Sequence, residues 1–402
     1  MYTPCPTERS RAMADRVEAF VREVIAPYEG DPRAGAHGPS AELVTEMRAK
    51  ARAAGVMTPH ILADGSHMTQ LETAAVLKRS GLSPLGPVAV NTMAPDEGNM
   101  FLLGKVCTPE QKERFLRRLV SGEARSAFFM TEPAADGGAG SDPSMLQTTA
   151  VRDGDEWVID GRKMFITGAD GAEVGIVMAR TGGFGEGEPA AATMFLVPLP
   201  HPAIRIERVL DTIDNSMPGG HALIVIDGLR VPAADVLGAV DEGFRYAQVR
   251  LSPARLSHCM RWFGSAARAH EIATAYATTR KAFGKLLIDH EGVGFMLADN
   301  LIDLQQAALT IDWCAGVLDA GSHGTTESSM AKVAVSDALF RVADRCVQVM
   351  GGSGVLGDSI VEQVFREVRA FRIYDGPTEV HKWSLARKIK RDALAGTARH
   401  GR

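Results

Sequence analysis

The sequence predicts an α+β fold in three parts: a helical N-terminal domain (residues 1–125), a middle β-domain built as a sandwich or barrel (126–240) and a C-terminal four-helix bundle (241–402). Two observations support this division. Apolar residues recur every three or four positions in the first and last parts, which is the period of an amphipathic helix. In the middle part, short apolar runs alternate with Asp-Gly pairs, which is typical of strands joined by turns.

The N-terminal part contains several amphipathic segments. Apolar side chains share one helical face between Val17 and Val24, and a second stripe repeats every four residues from Leu43 to Ala51. Thr108 has the chemistry of an N-cap, and Pro109 stands where proline is tolerated at the first helical position. The sequence therefore predicts a further helix that begins at Pro109 and runs through Leu119.

Glycine turns mark the middle part. Asp160-Gly161 stands between the apolar runs 157–159 and 163–167. An Asp-Gly pair in this position favours a two-residue hairpin, because both central residues of such a turn need positive φ. Further strands are predicted over 175–178, 193–197 and 223–226.

The C-terminal part returns to helical periodicity. Apolar residues from Leu339 to Met350 predict a long helix that packs in a bundle. Residues 352–357 satisfy the pattern GxGxxG, but that pattern binds a dinucleotide only when it follows a strand. Because the preceding segment is helical, we expect a helix-terminating glycine turn or a close approach to a ligand instead.

Composition narrows the functional classes. The net charge of −5 and the pI of about 6.1 offer no nucleic-acid surface. No apolar run reaches the roughly 18–20 residues of a membrane span, and the first residues lack the apolar core of a signal peptide. The five cysteines are scattered and form no CxxC pair, so neither a metal site nor a disulfide framework is predicted. These features favour a cytoplasmic protein.

Six motifs follow one another along the chain. They are Thr131-Glu132-Pro133 with Gly140-Ser141-Asp142, then Lys163–Thr167, Arg280–Lys285, Phe295–Asp299, Gln348–Gly352 and Tyr374–Glu379. In this order and spacing they resemble the signature of the acyl-CoA dehydrogenase family, whose architecture is also helical, β, helical. The segments 94–100 and 376–377 resemble the branch that contains family members 10 and 11.

The resemblance implies FAD-dependent α,β-dehydrogenation of an acyl thioester. Asp375 would be the base that removes the α-proton, with Arg255 orienting its carboxylate. An α-C–H is a very weak acid, so the base needs a high pKa, and an apolar pocket is expected to raise that of Asp375. An ordinary helix-capping Asp375 and a solvent-exposed Arg255 are the alternatives.

The resemblance also assigns the binding residues. Those expected to contact FAD are Phe129, Thr131, Ser141, Phe165, Thr167, Arg280, Phe283, His290, Gln348, Gly351, Gly352, Pro377 and Glu379. Those expected to contact the substrate are Ser141, Arg255, Gly376 and Arg387. Because Arg280 and Phe283 would reach the FAD of a neighbouring subunit, a homodimer or homotetramer is expected. Taken alone, Phe165 and Phe283 could equally be core aromatics.

The chain departs from the family pattern at several places. The loop after Pro133 is longer by about four residues than the family's, relative to the motif spacing. Phe165 replaces a usual Trp, and Glu291 a usual Gln. Pro377 and Glu379 replace a usual Thr and Gln, and Asp375 replaces the usual Glu.

The expected product is the trans-2-enoyl thioester, with electrons passing to an electron-transfer flavoprotein. The thiol carrier would be CoA or an acyl carrier protein. Aspartate also serves as the base in flavin oxidases of this fold that act on nitroalkanes. An oxidase that gives electrons to oxygen, with a thioester or another carbon acid as substrate, is therefore the alternative, and a non-catalytic relative is the third reading.

Overall fold

The structure is a computed structural model that describes residues 7–62, 64–183 and 188–400. As predicted, a helical N-terminal part and a helical C-terminal part enclose a β-sheet region. The N-terminal helices are α1 (Glu8–Phe20), α2 (Ala41–Ala53), α3 (Gln70–Ser80), α4 (Gly86–Ala89), α5 (Asp96–Val106), α6 (Pro109–Gln111) and α7 (Arg117–Val120). Two-residue strands, β1 (Ala34–Gly35) and β2 (Gly38–Pro39), pair between α1 and α2.

Local chemistry sets where several of these helices begin. The side chains of Thr69 and Thr108 accept hydrogen bonds from the main chain three residues on, and both belong to capping boxes. The helix predicted from Pro109 is confirmed, since α6 continues through a π-helical turn at Lys112–Leu116 into α7. Capping satisfies N–H groups that have no partner inside the helix.

The middle part forms one sheet. Its strands are β3 (Ser126–Phe129), β4 (Thr149–Asp153), β5 (Glu156–Thr167), β6 (Val174–Gly182), β7 (Ala191–Pro198), β8 (Ile204–Leu210), β9 (His221–Pro232) and β10 (Val236–Leu237). Within the described residues the order is β10-β7-β6-β4-β5-β9-β8, with β3 parallel to β6. The strands predicted over 175–178, 193–197 and 223–226 are confirmed as parts of β6, β7 and β9.

The hairpin predicted at Asp160-Gly161 is wrong. Both residues lie inside the continuous strand β5, where the register with β9 shifts between Ile159 and Gly161. The opposite strand carries its own Asp-Gly pair, and Asp160 Oδ1 accepts a 2.6 Å hydrogen bond from the N–H of Gly228. A single bulge, in which Asp227 and Gly228 of β9 lie opposite Asp160 of β5, thus accommodates the turn-forming residues without reversing the chain.

The C-terminal part is a bundle of long helices. They are α8 (Gly243–Thr279), α9 (Glu291–Asp319), α10 (Thr325–Met350), α11 (Ile360–Phe371) and α12 (Thr378–His400), with a short ladder of β11 (Lys281–Ala282) and β12 (Lys285–Leu286) after α8. Helix α10 ends at a 3₁₀ turn over Gly351–Val355. Because a helix and not a strand precedes this glycine turn, it is not the strand–loop–helix turn of a Rossmann fold.

Helices α3 and α8 cross at two glycines. A Cβ at Gly81 would lie 1.9 Å from the carbonyl oxygen of Arg261, and one at Gly264 would lie 2.2 Å from that of Lys78. Only glycine permits so close an approach of two backbones. The crossing fixes the position of α8 relative to α3, because neither helix can slide along the other without losing this close contact. No helix in the described ranges is long and apolar enough to cross a membrane.

Candidate active site

Asp375 lies in the turn between α11 and α12. Its φ is +54°, in the left-handed region that Asp and Asn occupy more readily than most side chains. Three groups hold this turn. Arg255 Nε donates to the carbonyl oxygen of Asp375 at 3.2 Å, Lys332 Nζ donates to that of Gly376 at 2.9 Å, and Trp262 donates to the hydroxyl of Tyr374.

These contacts refine the expected role of Arg255. The side chain is 9% exposed, so it is not the solvent-exposed arginine of the alternative interpretation. It holds the main chain of Asp375 and not the carboxylate. His381 supports the same carbonyl oxygen, with Nε2 at 3.2 Å. The turn is therefore fixed by its backbone, and the carboxylate is left available.

The surroundings of the carboxylate are cationic. Burial raises the pKa of Asp375, but the positive charges of Arg250, Arg255 and Lys332 act in the opposite direction and hold that pKa below its ordinary value. The raised pKa expected from an apolar pocket is therefore wrong. The neighbouring positive charges keep the carboxylate of Asp375 ionised, although the arginine and lysine side chains that carry them are largely buried.

His258 lies beside the carboxylate of Asp375. Its Nε2 lies 3.4 Å from Asp375 Oδ2. Burial, with the charge of Arg261 next in weight, lowers the pKa of His258 to about 3, so the ring is neutral and the contact is not an ion pair. Asp375 Oδ2 is buried and accepts no hydrogen bond within the described residues. A buried carboxylate oxygen with a free lone pair is what proton abstraction requires.

A second surface lies at the end of β5. Phe165 has a φ of +61° and is 57% exposed, so its ring is not the core aromatic of the alternative interpretation. Two residues on, the hydroxyl of Thr167 lies 2.9 Å from His221 Nδ1, and His221 Nε2 lies 2.9 Å from Asp214 Oδ2. Thr131 donates to the carbonyl oxygen of Met164 next to Phe165.

This surface fits an isoalloxazine ring. An exposed aromatic side chain offers a stacking face, and Thr131 and Thr167 place hydroxyls beside it. Ser141 is exposed in the loop that follows Thr131. Phe129 differs, because its side chain is 1% exposed in the core of the sheet. Any contact of Phe129 with the flavin would come from its main chain.

A buried ion pair organises the loop at 131–148. Lys163 Nζ lies 2.9 Å from Glu132 Oε1, and both side chains are almost wholly buried. Glu132 also accepts main-chain hydrogen bonds from Gln147 at 2.6 Å and Thr148 at 2.9 Å. A Cβ at Gly138 would lie 2.5 Å from that of Glu132, so the longer loop passes directly over this carboxylate.

The remaining predicted flavin residues lie on the outer surface. Phe283 is 97% exposed, and its ring packs edge-on against His290 at 6.2 Å. The other exposed members are Arg280, Gln348, Gly351, Gly352 and Glu379, and Pro377 is half-buried. Of the substrate residues, Gly376 is half-buried in the turn of Asp375. Arg387 is exposed with its guanidinium 4.6 Å from the ring of Trp383.

Sequence reasoning missed four residues of the site. Arg250 and His258 come from α8, Lys332 from α10 and His221 from β9. A signal was present, because Arg255, His258 and Arg261 repeat every three residues along helix α8. A stripe of basic residues in a buried position requires a partner.

Comparisons with known proteins agree over most of the chain. Models of the acyl-CoA dehydrogenase N-terminal, middle and C-terminal domains match residues 7–123, 127–220 and 241–390. The probable acyl-CoA dehydrogenase FadE2 of Mycobacterium tuberculosis is 37% identical over 357 residues, which cover 86% of this chain and 85% of that protein. Acyl-CoA dehydrogenase family member 11 of Gallus gallus is 33% identical over 386 residues, 92% of this chain. The chain spans about half the length of that relative, 49%.

Solved structures share the fold. A chain of Mycobacterium abscessus assigned to the acyl-CoA dehydrogenases superposes with a TM-score of 0.88 at 33% identity, covering 97% of this chain and 100% of that one. Butyryl-CoA dehydrogenase of Megasphaera elsdenii gives a TM-score of 0.85 at 24% identity over 97% and 100% of the two chains, a likeness of fold. With three domain models in order and FadE2 covered over most of its length, this chain belongs to the acyl-CoA dehydrogenase family and is an FAD-dependent oxidoreductase.

Proposed function

We propose that the chain converts an acyl-CoA to its trans-2-enoyl-CoA, with Asp375 as the base, and that electrons pass on to an electron-transfer flavoprotein. The observation that carries the proposal is the Asp375 carboxylate. It is ionised, buried at Oδ2 and without a hydrogen bond on that oxygen in the described residues. Neutral His258 beside it cannot neutralise it by proton transfer at ordinary pH.

The residues of the site divide the work of proton abstraction. Arg255 and Lys332 fix the turn, so that the carboxylate is aimed without being blocked. Aspartate reaches about 1.5 Å less far than the usual glutamate, one C–C bond, so the substrate α-carbon must lie closer to the turn. The main-chain N–H of Asp375 and the positive charges around it would stabilise negative charge that develops on the thioester oxygen.

FAD would lie against Phe165, with the hydroxyls of Thr131 and Thr167 at its edge. When bound, FAD supplies the hydride acceptor for the β-carbon. Ser141 and Arg387 are proposed to contact the CoA portion, and both are exposed on the described surface. Arg280, Phe283, His290, Gln348, Gly351 and Gly352 are proposed to meet the FAD of a second subunit, with Pro377 and Glu379 near the polar edge of the flavin.

Flavin bleaching under anaerobic conditions tests the base. FAD-loaded wild type should lose the visible absorbance of its flavin when an acyl-CoA is added, because the bound flavin accepts the hydride. Asp375→Asn should keep FAD, because asparagine tolerates the same positive φ, and should bleach about 10²–10⁴-fold more slowly. Asp392→Asn, an exposed acid on α12, is the matched control. Bleaching at the wild-type rate in Asp375→Asn would show that another residue is the base.

Air distinguishes the two possible electron acceptors. A reduced enzyme that stays bleached in air and is reoxidised by an electron-transfer flavoprotein supports the proposal. Rapid reoxidation with peroxide formation would instead establish the oxidase, and bleaching with a nitroalkane but no acyl thioester would establish a different carbon acid as substrate. A panel that includes acyl carrier protein thioesters identifies the thiol carrier.

The exposed side chain of Phe283, between β11 and β12, supports the proposed oligomer. A phenylalanine that is 97% exposed is best explained by a partner surface or a ligand that covers it. Phe283→Ser should weaken FAD retention while the fold persists, and light scattering of the wild type should give a dimer or tetramer. A monomer that holds FAD fully would contradict this.

We also propose a cytoplasmic location, because Cys107, Cys259, Cys314 and Cys346 are free, and fractionation of cells tests it.

A further inference from the structure

Three side chains with metal-binding atoms lie close together in the N-terminal part of the chain. His60 follows α2, His67 forms an isolated bridge with Ile61, and Glu97 lies in the first turn of α5. One ligand atom from each lies within 4.8 Å of the others. In the sequence they are separated by six and then twenty-nine residues, a spacing typical of no metal motif, and the sequence accordingly predicted none.

Both imidazoles lack the partners that buried rings normally have. His60 is 0% exposed, and neither Nδ1 nor Nε2 makes a hydrogen bond within the described residues. His67 Nδ1 lies 2.7 Å from the carbonyl oxygen of Met68, while its Nε2 has no described partner. A buried polar nitrogen left unpaired is costly, and such atoms generally indicate a missing ligand or water.

The pairing of His67 fixes its tautomer. A carbonyl oxygen only accepts, so in the neutral ring Nδ1 carries the proton and the lone pair on Nε2 is left available for a ligand. Metal-binding histidines are oriented in this way, with the second nitrogen donating to a carbonyl or carboxylate. The geometry of His67 is therefore that of a ligand.

The Glu97 carboxylate is positioned by residues of helix α8. It is 2% exposed, its Oε2 accepts from the hydroxyl of Ser257, and Arg261 Nη1 lies 3.6 Å from the same oxygen. A carboxylate has two oxygens and about four lone-pair sites, so these contacts leave lone pairs free. The charge of Arg261 lowers the affinity of this position for every cation alike. Mg²⁺ and Ca²⁺ are disfavoured for a different reason, since both depend on several oxygen ligands and the cluster offers one carboxylate.

We propose that His60, His67 and Glu97 bind one divalent transition-metal ion, with Zn²⁺ as the first choice. Two imidazoles and one carboxylate suit Zn²⁺ and its neighbours in the series, and they leave a fourth position open. The ion would tie the segment that carries His60 and His67 to α5 and, through Ser257, to α8. The inference does not depend on the proposed dehydrogenation, and its test does not use that reaction.

Metal content of the full-length, tag-free protein tests the site. The protein is dialysed against a chelator and then incubated with micromolar Zn²⁺ or Co²⁺. After gel filtration, we expect one ion per chain by mass spectrometry, a visible absorption band for the Co²⁺ form, and a higher melting temperature with metal.

Three variants make the result specific. His60→Ala removes a ligand and should abolish the visible band. Ser257→Ala leaves all three ligands in place but removes the hydroxyl that donates to Glu97 and accepts from Arg261, and it should weaken affinity by about 10–100-fold. His323→Ala removes an exposed histidine and should bind as the wild type does. His67→Gln serves in place of His60→Ala if the latter does not fold.

Two results would overturn the proposal. The first is a wild type that retains neither Zn²⁺ nor Co²⁺, which would mean that the two rings share water instead. The second is equal binding by wild type and by His60→Ala or His67→Gln, which would place the ion elsewhere on the chain.

Discussion

Replacing Lys163 by methionine should loosen the loop that borders the flavin surface. Lys163 Nζ is within hydrogen-bond distance of Glu132 and of the carbonyl oxygen of Met130, and it is fully buried. Burial lowers the pKa of Lys163 to about 8, while Glu132 beside it opposes that shift. The variant leaves the Glu132 carboxylate buried without its counter-charge, although the N–H groups of Gln147 and Thr148 still point at it.

The size of the effect follows from the burial of the pair. Breaking a buried ion pair by removing one partner costs about 3–5 kcal/mol. With an unfolding entropy of about 2.1 cal/mol/K per residue over 402 residues, that loss corresponds to a fall in melting temperature of roughly 4–6 °C. The exposed pair of Lys388 and Asp392 gives a matched control, because Lys388→Met should cost at most about 1 kcal/mol.

Calorimetry at one protein concentration and hydrogen exchange measure the two consequences. Lys163→Met should melt lower and should speed amide exchange at 131–148, while exchange in α9 stays unchanged. The double variant Glu132→Gln, Lys163→Met removes the stranded charge and should recover part of the loss. A melting temperature within about 1 °C of the Lys388→Met control, with unchanged exchange in the loop, would refute the reasoning.

The remaining predictions concern the pH dependence of stability, the contact between His221 and Thr167, and the crossing of helices α3 and α8. Burial and the charge of Asp214 raise the pKa of Glu367 to about 7 from 4.5, so its contribution to stability is full below pH 4.5 and is lost as pH rises through 7. Glu367→Gln should remove this loss, about 3 kcal/mol on the linkage relation, and equal pH profiles of melting temperature would contradict it. His221→Gln should shift the flavin spectrum and its reduction potential through Thr167 without loss of FAD, and an unchanged potential would show that His221 does not act on Thr167. Gly81→Ala should prevent the α3–α8 crossing and yield insoluble or weakly folded protein, and a normal melting temperature would disprove the close approach.

What could be predicted from the sequence was local in the chain. The N-cap Thr108, the strands of the middle part and the position of Asp375 each depend on a few neighbouring residues. Asp160-Gly161 shows the limit of local reasoning. Its turn preference is real, but strand pairing with β9 and a facing Asp-Gly pair outweigh it.

The electrostatics of the base could not be predicted in the same way. Arg255 lies 120 positions before Asp375, and the tertiary fold alone brings its charge to the turn together with that of Lys332. The family pattern predicts Asp375 as the base, but it did not predict that the pKa of this carboxyl is lowered. The assigned contacts with FAD and substrate stay predictions until a bound structure tests them.

Helix α8 has a consequence for recombining this chain with its relatives. At 37 residues it is about 55 Å long. Its first residue packs against the carbonyl oxygen of Ala192 in β7, its middle passes Gly81, and Arg255 reaches the turn of Asp375. A chimera joined within α8 would combine surfaces that three different neighbours must match at once. Chimeras should therefore fold when the crossover lies in the loop before Gly243 or in the loop after Thr279. Libraries with crossovers inside the helix should yield few folded proteins.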